Sequence, residues 1–180
     1  MKTKAAPQPR YLKDYKKPDF KISSISLTFD IRDGATTVKA TTAFERLNQE
    51  AKNLALDKWF ALQAVADRQD APEIVTRLMQ HRDFTYKNPN RLLALTGSFS
   101  SGNQKWFHRN DGAGYRLLAE TVIKVNGINP SVAARLLTPL RQWRKYDPTR
   151  KYLMENELKR ILAEKDISND VYEIASKSLS

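Results

Sequence analysis

Residues 129–163 read NPSVAARLLTPLRQWRKYDPTRKYLMENELKRILA, and this stretch decides the fold class. It contains two helix starts of the same kind, Asn129-Pro130 and Asp147-Pro148. In each, a side chain that accepts from free backbone N–H groups precedes a proline, whose ring suits the first helical turn. Apolar residues follow at the three- and four-residue spacing of a buried helix face. Asn88-Pro89 repeats the pattern earlier in the chain, so the sequence predicts a series of helices.

Helical spacing extends from about residue 47 to residue 180. Short connections between about six or seven helices are typical of antiparallel helix pairs that stack side by side. The predicted fold class is mainly α, an α-superhelix of the HEAT or armadillo type with a short N-terminal β-hairpin segment. A compact irregular bundle is the alternative, because no strict internal repeat is visible. The predicted helices are Leu47–Ala66, one from Pro72, one from Asn90, Tyr115–Val125, Val132–Trp143, Tyr152–Ala163 and one after Ser168 or Asn169.

The residues before this helical region have the period of a β-hairpin. Apolar and polar residues alternate between Ile25 and Ile31, and a second alternating run covers residues 37–44. Asp33-Gly34 between them predicts a tight turn. A two-stranded hairpin is marginal alone, so we expect this β part to be incomplete. The predicted division is 1–46, a partial N-terminal β segment, 47–56, a junction, and 57–180, a C-terminal α-helical superhelix domain.

The chain carries 31 Lys and Arg against 20 Asp and Glu, a formal net charge of +11. The excess is spread along the chain, and its densest run is a basic-aromatic patch between residues 141 and 151. Such a patch is typical of a phosphate-binding surface. Cations also favour the last turn of a helix, with Trp143 packed inward, and we favour this structural interpretation. The patch consists of Arg141, Arg144, Lys145, Tyr146, Arg150 and Lys151.

Residue counts and spacing exclude several kinds of site. The chain has no cysteine and two histidines, His81 and His108, so thiolate sites and sites with three imidazoles are excluded. Neither histidine has a second one four residues on, as a His-Glu-x-x-His zinc site requires. Phosphate-binding glycine loops and serine-hydrolase elbows do not occur. We assign no catalytic, cofactor-binding or metal-binding residue, and we expect both histidines to have surface or capping roles.

The sequence also bears on location. No apolar run approaches the roughly 18–20 residues of a membrane span, so we expect no membrane partner. The basic start MKTKAAPQPR has no apolar segment behind it, unlike a secretory signal. The expected location is the cytoplasm, and a plastid location stays open.

Several phrases, in this order, resemble the zinc aminopeptidase N (alanyl aminopeptidase) family. The opening phrases are Tyr11-Leu-Lys-Asp-Tyr15, Pro18-Asp-Phe20 and Leu27-Thr-Phe-Asp30. Those that resemble the family's C-terminal helical domain span about 120 residues, from residue 57 onward. They are Asp57-Lys-Trp-Phe60, Asn88-Pro-Asn-Arg91, Phe107-His108, Asp111-Gly-Ala-Gly-Tyr115, Asn129-Pro-Ser-Val-Ala-Ala-Arg135, Arg144-Lys-Tyr-Asp147 and Ile174-Ala-Ser-Lys-Ser178.

The resemblance implies an order of domains. Members begin with a β-domain, continue with a zinc catalytic domain and a small β-sandwich, and end with the superhelix. This chain resembles the first and last parts only, and the His-Glu-x-x-His and Gly-Ala-Met-Glu-Asn motifs do not occur in it. We therefore expect an internally deleted member that is inactive alone and holds no cofactor, although full-length members use zinc to remove N-terminal amino acids from peptides.

The resemblance also implies that Arg135 lines the substrate cavity of full-length members. Two other functions stay open: a helical-repeat module that binds a protein or peptide, and a weak nonspecific nucleic-acid binder that uses the basic-aromatic patch. Peptides are the implied substrates of full-length relatives, and nucleic acid is not the expected partner. Self-association through an exposed apolar helix face is a further expectation, because a repeat array needs neighbours to cover its terminal faces.

Overall fold

The structure, a computed structural model, describes residues 20–32, 35–46 and 49–180. Its internal contacts divide the chain after Leu54 into two units, which are described separately. Three parts of the sequence-based predictions lie outside the described residues: the opening phrases before Phe20, the Asp33-Gly34 turn, and the first two residues of the predicted Leu47–Ala66 helix.

The described part of the first unit contains an antiparallel strand pair, β1 (Phe20–Arg32) and β2 (Ala35–Arg46). Leu27 lies opposite Ala40 and Phe29 opposite Val38, so the two apolar runs share one face. Within the described residues the sheet has these two strands. The predicted hairpin is therefore confirmed.

Helices make up the described part of the second unit, so the predicted mainly-α class is confirmed. None of the helices in residues 49–180 is long and apolar enough to cross a membrane. The chain order is α1 (Gln49–Val65), α2 (Ala71–Leu78), α3 (Pro89–Leu92), a π-helical turn (Leu93–Gly97), α4 (Ser98–Gly102), α5 (Gln104–Phe107), α6 (Ala113–Asn126), α7 (Pro130–Leu136), a 3₁₀ helix (Leu140–Lys145), α8 (Pro148–Leu162) and α9 (Asn169–Leu179).

One apolar core holds the helical unit together. Helix α6 packs against α7 and α8, while α9 packs against α7 and α8 as well. Helix α2 packs against α5 and α6. Helix α6 therefore contacts both the earlier helices α2 and α5 and the later helices α7 and α8. Phe60 and Ala64 of α1 are fully buried in this core, as their helical spacing predicts, but Trp59 stays 39% exposed. The largest fully buried side chains are Tyr115, Phe60, Phe99, Phe107, Leu92 and Leu95.

The predicted Val132–Trp143 helix is wrong as a single element. Helix α7 ends at Leu136, and a separate 3₁₀ helix begins at Leu140. Pro139 lies between them, and a proline inside a helix has no N–H to donate and clashes with the carbonyl four residues earlier. The apolar period of residues 132–143 continues through this break, because Leu136, Leu140 and Trp143 all enter the core.

Candidate functional site

A group of hydrogen-bonded polar side chains in the helical unit centres on His108, which follows α5 and is buried. Its Nδ1 lies 2.8 Å from the hydroxyl of Tyr115 in α6. Its Nε2 lies 2.8 Å from the hydroxyl of Tyr146 and 3.1 Å from Oε1 of Gln104. The rings of His108 and Tyr146 are stacked, with centroids 4.2 Å apart. The histidine thus joins α5, α6 and the segment that follows the 3₁₀ helix.

Neighbouring hydrogen bonds define the tautomer of His108. The Gln104 amide donates to the Ser101 carbonyl over 2.9 Å, which leaves its Oε1 as an acceptor toward the histidine. The Nε2 of His108 therefore carries the hydrogen, and Nδ1 accepts from the Tyr115 hydroxyl. We assign a neutral imidazole with both nitrogens engaged.

The electrostatic setting agrees with a neutral ring. Burial, and to a smaller degree the positive charge of Arg150, lowers the pKa of His108 to about 4. Burial also raises the pKa of the Tyr115 and Tyr146 hydroxyls, so both stay protonated at neutral pH. The group thus holds uncharged, hydrogen-bonded partners at pH 7, and it connects α5, α6 and the segment after the 3₁₀ helix.

Two glycines shape the turn that leads from His108 into α6. Gly112 has φ of +69°, a conformation that L side chains rarely adopt. A Cβ on Gly114 would lie 2.3 Å from the carbonyl oxygen of Phe107, so the backbone of α6 approaches α5 more closely than any side chain allows. This approach places Tyr115 beside His108. Of Asp111-Gly-Ala-Gly114, the first two residues precede α6, whereas Ala113 and Gly114 form its first turn.

The basic-aromatic patch is divided among separate structural contacts. Arg144 donates to the carbonyls of Ser178 and Leu179 over 2.8 and 2.7 Å, at the end of α9. Arg150 donates to the carbonyl of His108 over 2.7 Å and pairs with Asp147 over 2.7 Å.

The remaining patch residues have weaker roles. Lys145 reaches Oε1 of Gln142 at 3.5 Å. Arg141 is exposed and Lys151 is half-buried, and neither side chain forms a hydrogen bond or ion pair with the described residues. Tyr146 stacks on His108 rather than facing away from the core. Arg144, Tyr146 and Arg150 thus form intramolecular contacts, and a phosphate-binding surface made by the six residues stays a prediction.

A groove of about 280 Å³ lies between α2 and α6. The ammonium of Lys124 lies over the ring of Tyr86, 4.1 Å from its centroid. Arg135 does not line this groove; it is exposed in the last turn of α7. The groove is lined by Thr76, Met79, Gln80, Tyr86, Leu117, Glu120, Thr121 and Lys124.

Sequence reasoning missed the partners of His108. The spacing of Gln104 and His108, four residues apart, was a usable signal because such residues share a helix face. Nothing local in the sequence pairs His108 with Tyr146, since 38 residues separate them. The expected surface role is therefore wrong for His108, which is 7% exposed, although the residue does lie at the C-cap of α5. His81 is half-buried, and its Nδ1 accepts from the Asp83 N–H over 3.2 Å.

Comparison with known proteins shows which family this architecture belongs to. A protein-family profile described as a domain of unknown function (DUF3458_C) with ARM repeats matches residues 14–180. Aminopeptidase N of Caulobacter vibrioides is 48% identical over 126 residues, which cover 70% of this chain and 15% of that protein. Aminopeptidase N of Escherichia coli is 41% identical over 127 residues, 71% of this chain and 15% of that protein.

A solved structure gives the same result. The crystal structure of Legionella pneumophila aminopeptidase A in complex with aspartic acid matches with a TM-score of 0.66 and 41% identity, over 69% of this chain and 14% of that chain. The chain thus spans about one seventh of the length of the relatives that it matches. The predicted resemblance and the predicted armadillo-like fold are confirmed. The chain belongs to the DUF3458_C family of ARM-repeat domains, and its helical part is similar to part of the aminopeptidase N proteins.

Proposed function

We propose that this chain is an internally deleted member of the zinc aminopeptidase N family and does not hydrolyse peptides by itself. Its helical unit corresponds in length to the matched part of the relatives, because Ala55–Ser180 and the alignment with the Caulobacter vibrioides protein both cover 126 residues. The β1–β2 pair comes directly before it in the chain. This adjacency supports a polypeptide in which the catalytic region of full-length members is absent between the two parts.

The main support for the proposal is the small number of residues that could bind zinc. Zinc sites in proteins are built from cysteine, histidine and carboxylate ligands at fixed spacing. This chain has no cysteine and two histidines. Both ring nitrogens of His108 are occupied by hydrogen bonds, and among the described residues no group of three His, Asp or Glu side chains could hold a metal ion. The residues present do not fit a hydrolytic zinc centre.

Metal analysis tests this proposal. The purified chain is dialysed against zinc and then against zinc-free buffer, and its metal content is measured by mass spectrometry. We expect much less than one zinc per chain, and the same amount in His81→Gln and His108→Gln. Retention of one zinc per chain that either substitution removes would contradict the proposal, because it would reveal a histidine-built site.

A second candidate function is a module that binds a peptide along its helices, and the groove between α2 and α6 favours it. Apolar walls with a few polar groups are typical of ligand sites. Met79 and Leu117 supply the apolar walls, while Glu120 and Lys124 supply both charges. Substituting Leu117 would disturb the core, so Lys124→Glu is the suitable variant. It should weaken capture of acidic peptides, whereas the exposed Lys159→Glu on α8 should leave capture unchanged.

The role of Arg135 in lining a substrate cavity is also a proposal. We infer that, in a full-length relative, this arginine would face the substrate cavity. Its exposure in the last turn of α7 supports a position from which a side chain can reach a peptide. Arg135→Ala in such a relative should raise KM for peptides with little change in kcat.

A further inference from the structure

The hairpin has two chemically different faces. Directly opposite residues of an antiparallel pair lie on the same face, so the register assigns each side chain to one of them. One face carries large apolar side chains that are between 48% and 77% exposed. These apolar-face residues are Ile22, Ile25, Leu27, Phe29, Ile31 and Val38.

A β-bulge extends this face. Ile22 and Ile25 are three residues apart, and strict alternation would place them on opposite faces. The register shifts by one residue between Ile22 and Ser24, so Ile22 returns to the same face as Ile25. The irregularity thus lengthens the apolar surface along β1.

The opposite face is polar and charged. Ser24, Ser26, Thr28 and Asp30 lie on it in β1, and Lys39 lies on it in β2. Among the described side chains, the apolar face carries no charge, because Ala40 and Thr42 complete it beside Val38. The chain has a formal net charge of +11, but contact between two copies through the Ile22–Ile31 part of this face would not bring described cationic side chains together.

The area of the apolar face limits the kind of partner that could cover it. Six large side chains, each about half exposed or more, present on the order of 600 Å² of mainly apolar surface, the upper end of what a soluble monomer exposes. Two such faces packed together remove about 1,200 Å² from water, which is the lower limit for specific, stable interfaces. A two-stranded hairpin also needs a second layer for stability.

We propose that the apolar face of the hairpin packs against the same face of a second copy of this chain. The contact forms a two-layer sandwich of four strands, with both polar faces toward water. The occupant is a second copy because, between Ile22 and Ile31, the described side chains of an identical face are apolar and uncharged, so the contact is isologous. A charged partner would find no opposite charge on this face.

Sedimentation equilibrium of the full chain tests the proposal. We expect a monomer–dimer equilibrium with a dissociation constant on the order of 10–100 µM, at the weak end of the range of specific interfaces. Phe29→Lys should shift the chain to monomer, because it buries a charge in the interface. Thr28→Lys, on the polar face of the same strand, should leave the dimer unchanged. A wild-type chain that is monomeric at about 300 µM would overturn the proposal.

Two further variants distinguish the hairpin face from α1 as the surface that associates. Leu62→Lys tests the exposed face of α1, formed by Leu54, Trp59, Leu62 and Val65. A dimer that Leu62→Lys abolishes and Phe29→Lys leaves intact would overturn the proposal and assign association to α1.

If Phe29→Lys also unfolds the hairpin, a crosslinking experiment tests whether the apolar faces of two copies meet. The chain has no cysteine, so Leu27→Cys should form covalent dimers with a short bis-maleimide and Thr28→Cys should not. Equal crosslinking of both variants would overturn the proposal.

Discussion

The Arg91 guanidinium donates to the carboxylate of Asp57, and this contact joins α3 to α1 across 34 residues of sequence. Arg91 also donates to the backbone carbonyl of Asp83 and lies 5.6 Å from the centroid of the Phe60 ring. The arginine is only 4% exposed, so its charge depends on these partners. Asp57-Lys-Trp-Phe60 and Asn88-Pro-Asn-Arg91, two of the phrases that carry the family resemblance, therefore meet in one contact.

Removing the charge of Asp57 should destabilise the helical unit strongly. Asp57→Asn leaves a buried guanidinium without its counter-charge, which costs about 3 kcal/mol of the free energy of unfolding. Urea unfolding followed by circular dichroism measures the change. Glu173→Gln is the control, because Glu173 and its partner Lys177 are both largely exposed. We expect no measurable change there, and equal effects of the two variants would refute a structural role for the Arg91–Asp57 pair.

The close approach of the α6 backbone to Phe107 at Gly114 predicts a second loss of stability. Gly114→Ala forces α5 and α6 apart, because the new Cβ would meet the backbone of Phe107 rather than a flexible side chain. We expect a loss of about 2–3 kcal/mol in the free energy of unfolding. Gly127→Ala has open space around the new Cβ and a negative φ, so it should be neutral or slightly stabilising. A Gly114→Ala protein as stable as the wild type would contradict the described packing.

The depressed pKa of His108 predicts a pH dependence of stability. The unfolded chain takes up a proton near the ordinary histidine pKa of about 6.5, whereas folded His108 resists until about pH 4. The unfolded state therefore binds more protons between these values, and the free energy of unfolding falls as pH decreases through them.

His108→Gln isolates this effect. The variant should be less stable at pH 7 but should lose less stability than the wild type between about pH 6.5 and 5. Glu73 and Asp111 contribute below this window, since Arg109 lowers the pKa of both carboxyl groups. His81 is present in both proteins and cancels in the comparison. Parallel pH profiles of the two proteins would contradict the assignment of a buried neutral imidazole.

Arg144 should act on stability rather than on nucleic-acid binding. Its guanidinium donates to carbonyls at the end of α9, so Arg144→Ala should cost about 1 kcal/mol and accelerate hydrogen exchange in the last turn of α9. Arg141→Ala, from the same patch, should change neither. Steeply salt-dependent retention on DNA that Arg141→Ala abolishes would instead support a phosphate-binding patch.

Local signals predicted much of this fold. The side chains of Asn88, Asn129, Asp147 and Ser168 accept from free N–H groups at helix starts, as their positions before each helix predicted. Such caps depend on residues two or three positions away, so the sequence shows them directly. The break at Pro139 was missed because the apolar period continues through it.

Long-range contacts were the part that the sequence could not predict. Trp143 was expected to pack inward and does so, but its Nε1 also donates to the carbonyl of Ser178, 35 residues away. The burial of His108 depends on Tyr146 in the same way. Likewise, no local signal in the sequence indicated that Arg144 contacts the end of α9 while Arg150 contacts the carbonyl of His108.

Peptidase turnover tests the central claim most directly. The folded chain is incubated with a chromogenic alanyl substrate, first with added zinc and then with a chelator, and release of the chromophore is followed over hours. We predict no release above the substrate's own hydrolysis under either condition, with circular dichroism confirming the helical fold. Turnover that zinc supports and the chelator abolishes would contradict the account, because it would require a metal centre that this chain's residues do not fit.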